Sequence, residues 1–260
     1  MSEAMTPSPA VESRFILGMR ADATSYSAAS SQVLAWARAG ESRLVAVATV
    51  NNVMEAWDSP AFRGIMNGAD LVAPDGVPLV WGLRLLGVRS ATRVYGPDLA
   101  PSLLAAAERE GIPVGFYGAT DAVLDRLAGA VRRRCPGLDI AYAWAPPFRP
   151  LSEEEDGAAA ARIEASGARI LFVGLSTPKQ ERWMAAHRGK VRAVMVGVGA
   201  AFDFLAGTKR QAPRWMMRAG LEWLFRLASE PRRLARRYLR HNPRFVALFV
   251  AQLLGWEPFR

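Results

Sequence analysis

The sequence predicts an α/β fold: a Rossmann-like, mostly parallel sheet with helices on both faces, extended by a basic helical C-terminal appendage. Three observations carry this expectation. Short apolar, β-branched runs alternate with longer stretches whose apolar residues recur at helical spacing, as in parallel strands joined by crossover helices. With 260 residues, 51% of them hydrophobic, the chain can cover such a sheet on both sides. Beyond Gly207 the composition changes: Thr208 to Arg260 contains twelve Lys and Arg against three Glu, which accounts for the whole net charge of +9 and leaves the remainder neutral.

The elements follow in order. "MSEAMTPSPAVESR" is polar and lacks the apolar stretch of a signal peptide, so residues 1–13 are expected to be a flexible tail. An α/β domain is expected over 14–207 and the appendage over 208–260. "SSQVLAWARAG" reads as a helix ended by glycine, and "RLVAVAT" as a buried strand. Further strands are expected at Asp70 to Ala73, Pro113 to Tyr117, Leu138 to Trp144, Arg169 to Val173 and Val191 to Val198. Ser152 and Glu155 stand at capping-box spacing, which makes the "SEEED" run a solvated helix start rather than a metal site. The single cysteine, Cys135, has no disulfide partner in the chain and suits a reducing compartment.

In the appendage, Pro213, Pro231 and Pro243 each suit a first helical turn and predict three successive helices. Arg233, Arg236, Arg237 and Arg240 would share one side of the middle one. Trp215, Trp223, Tyr238, Phe249 and Trp256 lie among these cations, as in a helix at a membrane surface, where rings reach headgroup depth and guanidiniums meet phosphates. The longest apolar stretch, "FVALFVA", falls far short of the ~20 residues that span a bilayer. A phosphorylated substrate or an anionic membrane is the expected partner; no reader motif supports nucleic acid.

Ligands of open parallel sheets bind at the carboxyl ends of the strands. The polar residues expected there are Thr49 and Asn51, Asp75, Gly118 and Thr120, Lys179, Gln180 and Glu181, and Asp203. Asp75 has two readings, a cap or Asx turn between strand and helix, or a functional carboxylate. Thr177 and Pro178 suit an N-cap and first helical position, whose free N–H groups attract an anion, with Lys179 adding charge. Neither a GxGxxG nor a Walker spacing occurs, so no cofactor is expected. Two histidines, His187 and His241, are too few for a triad or a histidine metal site, and no Asp-x-Asp pair is present. No metal is expected, and a bound diphosphate would be neutralised by arginines and helix N-termini.

The strings "TVN", "ADLVAPDGVPLVW", "RVYGPDL", "VGLSTPKQE", "VGVGAAFDFLAG", "QAPRWM" and "GLEWLFRLASEPRRLARRY" stand in an order that resembles the WecG/TagA/CpsF family of bacterial glycosyltransferases, over about residues 14 to 250. The resemblance implies a catalytic domain at 14–207. It also implies metal-independent, inverting transfer from a UDP-sugar (N-acetylmannosamine, N-acetylmannosaminuronate or glucose type) to a polyprenyl-diphosphate-linked sugar in cell-surface polysaccharide synthesis. Asp75 would be the general base, and Thr49, Asn51 and Gln180 would line the site. Arg226, Arg232 and Arg236 of the appendage would close over it and meet the diphosphate. The enzyme would be cytoplasmic, peripheral on the inner membrane face, with a second copy of the chain as a further candidate partner. Two other classes compete. A Rossmann-type oxidoreductase or methyltransferase explains the sheet but not the C-terminus. A nonenzymatic membrane or nucleic-acid adaptor explains the C-terminus but not Asp75 and "PKQE".

Overall fold

The computed structural model describes residues 11–256 and 259; most of the expected N-terminal tail lies outside the described residues. The chain opens on an antiparallel hairpin of β1 (Ser13–Ile16) and β2 (Met19–Asp22), an element the sequence reading does not contain. Its two turn residues, Leu17 and Gly18, both have positive φ, 50° and 80°. Hairpin turns of this hand favour Asn-Gly, so a leucine there hides the signal.

Then come α1 (Tyr26–Arg38), β3 (Arg43–Ala48), α2 (Val50–Asp58), α3 (Pro60–Asn67), β4 (Leu71–Pro74), α4 (Val77–Leu85), α5 (Gly96–Glu110) and β5 (Val114–Gly118). They are followed by α6 (Asp121–Arg134), β6 (Ile140–Trp144), α7 (Glu153–Ser166), β7 (Ile170–Gly174), α8 (Lys179–Ala186), β8 (Val194–Gly197) and α9 (Ala201–Leu205). Every predicted strand is present, with ends displaced by at most three residues. β3 to β8 form one parallel six-stranded sheet in the order β4-β3-β8-β7-β5-β6. The sheet separates two apolar cores. Along β3, Leu44, Ala46 and Ala48 face one and Val45 and Val47 the other, the period of two that a strand buried on both sides requires. The Ser152–Glu155 capping box forms as expected at α7.

The C-terminal segment comprises α10 (Arg214–Arg218), α11 (Glu222–Ser229) and α12 (Pro231–Leu253). Pro213 and Pro231 mark helix starts, but Pro243 lies inside α12. It is exposed, as is Leu239, whose carbonyl loses its i+4 donor, so the lost bond falls on the solvent side and the helix continues. α12 also packs on the body. Phe245 and Phe249 belong to the core beside Ile16 and α4, and Gly82 leaves room for the Phe249 ring. No helix among the described residues is long and apolar enough to cross a membrane.

Candidate active site

Because all six strands run parallel, the loops after β3, β4, β7 and β8 leave the same edge of the sheet, and backbone bonds tie them together. The Ala48 carbonyl accepts from Asp75 N (2.9 Å) and Gly76 N (3.2 Å), and the Val173 carbonyl accepts from Val198 N at 3.0 Å. Thr49, Asp75, Gln180 and Gly199 are thereby gathered into one region.

Asp75 does not cap the helix that follows it: Gly76 occupies the N-cap of α4, with no side-chain cap. The Asp75 carboxylate turns toward the start of α5 instead, accepting from Gly96 N at 3.4 Å and from the Arg93 guanidinium at 3.0 Å. Arg93 also holds the Asp75 backbone carbonyl, and it pairs with Glu222 of α11 at 2.5 Å. Burial pushes the Asp75 pKa up to about 6; Arg93 opposes the rise and Glu222 adds to it. Burial opposes ionisation of Arg93, yet its two carboxylates hold its pKa above the usual range. The result is a mostly enclosed carboxylate that changes charge near neutrality, as a general base requires.

Beneath Thr49 lies a second network. Thr49 is the N-cap of α2, and the Asn52 Oδ1 accepts from both its N–H and its hydroxyl at 3.1 Å. Asn52 Nδ2 donates to Glu181 Oε1 (2.9 Å) and to the Thr177 hydroxyl oxygen (3.3 Å). Thr177 and Gln180 also donate to Glu181 Oε1, at 2.8 and 3.0 Å, while Gln180 Oε1 accepts from Gly199 N at 3.2 Å. Gly197 supplies the space, since a Cβ there would approach Gln180 to 3.1 Å. Glu181 is fully buried, and burial raises its pKa against the opposing pull of these bonds. Thr177 therefore does not cap α8 as expected; the helix begins at Lys179, after Pro178, and the Thr177 hydroxyl is committed to Glu181.

The other expected residues are more dispersed. Asn51 Oδ1 lies 3.2 Å from the His241 ring of α12, joining the sheet edge to the C-terminal helix. Lys179 is exposed at the start of α8. Gly118 ends β5 with φ of 127°, and a Cβ would come within 2.6 Å of the Gly174 carbonyl, so it is required for close strand packing. Thr120 caps α6. Asp203 is held by Thr208 (3.1 Å) and by Lys209 (3.1 Å), which reaches on to Glu230. A cleft of about 630 Å³ opens beside α9, lined by Tyr26, Asp98, Arg134, Phe204, Lys209 and Arg214 among others; Asp75, Thr49 and Gln180 are not in its walls.

The arginines of the appendage divide into two sets. Arg233 pairs with Glu230 (2.5 Å), and Arg240 and Arg244 pair with Asp58 (3.4 and 2.6 Å). Among the described residues Arg226, Arg232 and Arg236 make no ion pair. Arg237, over the Tyr238 ring, has a buried Nε without a partner, and burial with the charges of Arg226 and Arg233 lowers its pKa.

The model of the glycosyl transferase WecG/TagA/CpsF family matches residues 14–258. This chain belongs to that family. It is therefore a glycosyltransferase, and the oxidoreductase, methyltransferase and adaptor alternatives fall away. It is 34% identical over 183 residues to the N-acetylglucosaminyldiphosphoundecaprenol N-acetyl-beta-D-mannosaminyltransferase of Bacillus spizizenii, covering 70% of this chain and 69% of that protein. Sequence reading gave no site role to Arg93, Glu222 or Asn52, and named Arg237 only as one of four arginines on a helix side. Of the first three, Asn52 alone had a local signal, an amide three residues after an N-cap threonine.

Proposed function

We propose that this glycosyltransferase moves N-acetylmannosamine from a UDP-linked donor to an N-acetylglucosaminyl-diphosphoprenol acceptor at the membrane surface, with inversion and with Asp75 as general base. The observation that carries the chemistry is the Asp75 carboxylate, enclosed at the carboxyl edge of the sheet with its pKa pushed up to about 6. In a single displacement it removes the proton of the acceptor hydroxyl as the donor C1–O bond breaks. The departing diphosphate needs cations, and Arg226, Arg232, Arg236 and Arg237 are among the guanidiniums of the appendage that no carboxylate of the described residues engages. The transferred sugar and the acceptor follow the activity for which the Bacillus relative is named.

Membrane contact is supported by α12. Leu239, Val246, Val250 and Leu253 recur at helical spacing on its exposed side, next to the stripe of Arg236, Arg240 and Arg244. Trp81, Leu85, Trp215 and Trp223 are exposed as well. Incubation with UDP-N-acetylmannosamine and a short-chain prenyl-diphospho-N-acetylglucosamine should give a product heavier by one N-acetylhexosamine residue. Turnover of UDP-glucose or UDP-N-acetylmannosaminuronate in its place would reassign the donor, and an α-configured product from a donor of α configuration would overturn inversion.

A further inference from the structure

We propose that Glu181 is a positioning residue that fixes the polarity of the site, so that Thr49 faces the ligand as a hydrogen-bond acceptor for a sugar hydroxyl. The inference rests on the transferase reading and deepens it. Glu181 has no exposed surface, so its carboxylate does not itself meet a ligand. Its Oε1 is the meeting point of three donors, from Asn52, Thr177 and Gln180. Whether or not Oε2 carries a proton, Oε1 only accepts.

That constraint passes outward one bond at a time. An acceptor at Oε1 obliges Asn52 to present its NH2 inward, and both amide hydrogens are then used, on Glu181 and on Thr177. Asn52 Oδ1 must consequently face Thr49, where it accepts from the backbone N–H and from the hydroxyl. A hydroxyl has one hydrogen, and Thr49 spends it on Asn52, leaving only lone pairs for a ligand. Gln180 is set in the same way: its NH2 faces Glu181 and its oxygen holds Gly199 N, which fixes the loop after β8. Thr49 adjoins the loop that carries Asp75, with Gly76 positioned so that a Cβ would lie 3.5 Å from Thr49 Cα. A sugar hydroxyl donating to Thr49 would therefore be oriented beside the base.

Oε2 is buried and has no hydrogen-bond partner among the described residues, so the bonds that tie Glu181 to Asn52, Thr177 and Gln180 all pass through Oε1. The proposal separates three substitutions. Glu181→Gln keeps an acceptor at the Oε1 position and should retain kcat/KM for UDP-N-acetylmannosamine within about threefold. Glu181→Leu leaves three buried donors without a partner and should lower kcat/KM by roughly ten- to a hundredfold. In a Thr49→Val background, which has no hydroxyl to orient, Glu181→Leu should cost markedly less than in the wild type. Additive losses in this cycle, or a Glu181→Gln enzyme as impaired as Glu181→Leu, would overturn the proposal. The second result would place the negative charge itself in the reaction.

A separate measurement tests the hub without activity. In the NMR spectrum of the unliganded wild type, the side-chain NH2 signals of Asn52 and Gln180 should be shifted downfield and slow to exchange, and Glu181→Gln should preserve most of this. Free, fast-exchanging NH2 groups would sink the hub even in an active enzyme. Protected NH2 groups in a protein that transfers no sugar would instead count against the transferase reading.

Discussion

The sheet edge and the C-terminal segment solve opposite electrostatic problems. At the edge, the charged and amide side chains around Asp75 and Thr49 are held in specified bonds, and two carboxylates, the mostly enclosed Asp75 and the buried Glu181, carry raised pKa values. In the segment, cations outnumber the carboxylates within reach, so among the described residues several guanidiniums make no ion pair. A region whose charges are internally satisfied holds its geometry before a ligand arrives, whereas a region with surplus charge is completed by an anion. Glu222 joins the two, reaching from α11 to the Arg93 that holds Asp75.

The largest expected effect breaks the base. Asp75→Asn should lower kcat by roughly 10²- to 10⁴-fold with UDP binding retained, read by steady-state rates and calorimetry. It should not lower Tm at pH 7. The folded pKa lies above the ordinary carboxylate value, so the fold binds the extra proton in the window up to about 6, and the contribution of Asp75 to stability falls as pH rises through it. An unchanged turnover would make Asp75 structural.

Next in size, Phe249→Ala should destabilise the whole protein by about 3–5 kcal/mol in denaturant unfolding, because α12 is part of the core rather than a detachable arm. A stability loss confined to a separate, earlier transition would show the segment to be an independent unit. Arg236→Gln should lower kcat/KM roughly ten- to a hundredfold if its free guanidinium meets the diphosphate, whereas Arg240→Gln, already paired with Asp58, should change it by about twofold or less. Equal losses would erase the distinction between committed and free arginines.

The smallest effect is in the pH profile. The acid limb of kcat/KM should fall near pH 6, with activity rising as Asp75 loses its proton. Removing the opposing cation in Arg93→Met should move that limb upward, and removing the second carboxylate in Glu222→Gln should move it downward. Shifts of the same sign in both variants would rule out Arg93 as the shared partner.

Much of this was written locally. Short continuous apolar runs are what a strand buried on both faces requires, which is why all six strands of the sheet were legible from "RLVAVAT" onward. The β1–β2 hairpin was not, because its turn uses Leu17 where an asparagine would have signalled it. Pro243 misled for the converse reason: the bond it removes falls on the exposed side of α12, where water can satisfy the Leu239 carbonyl, so the helix runs through it.

By itself, then, the sequence determined the sheet, the concentration of positive charge after Thr208, and the placement of Thr49, Asp75 and Gln180 after the first, second and fifth predicted strands. Those properties depend on residues close together in the chain. Only the tertiary structure decided that Arg93 is shared between Asp75 and Glu222, 129 residues apart from the latter, and that Asn52 and Glu181 meet across the same separation. It also decided which arginines are spent on Asp58. Partners of a buried charge are chosen by where the fold brings the chain together, and no local pattern encodes that distance.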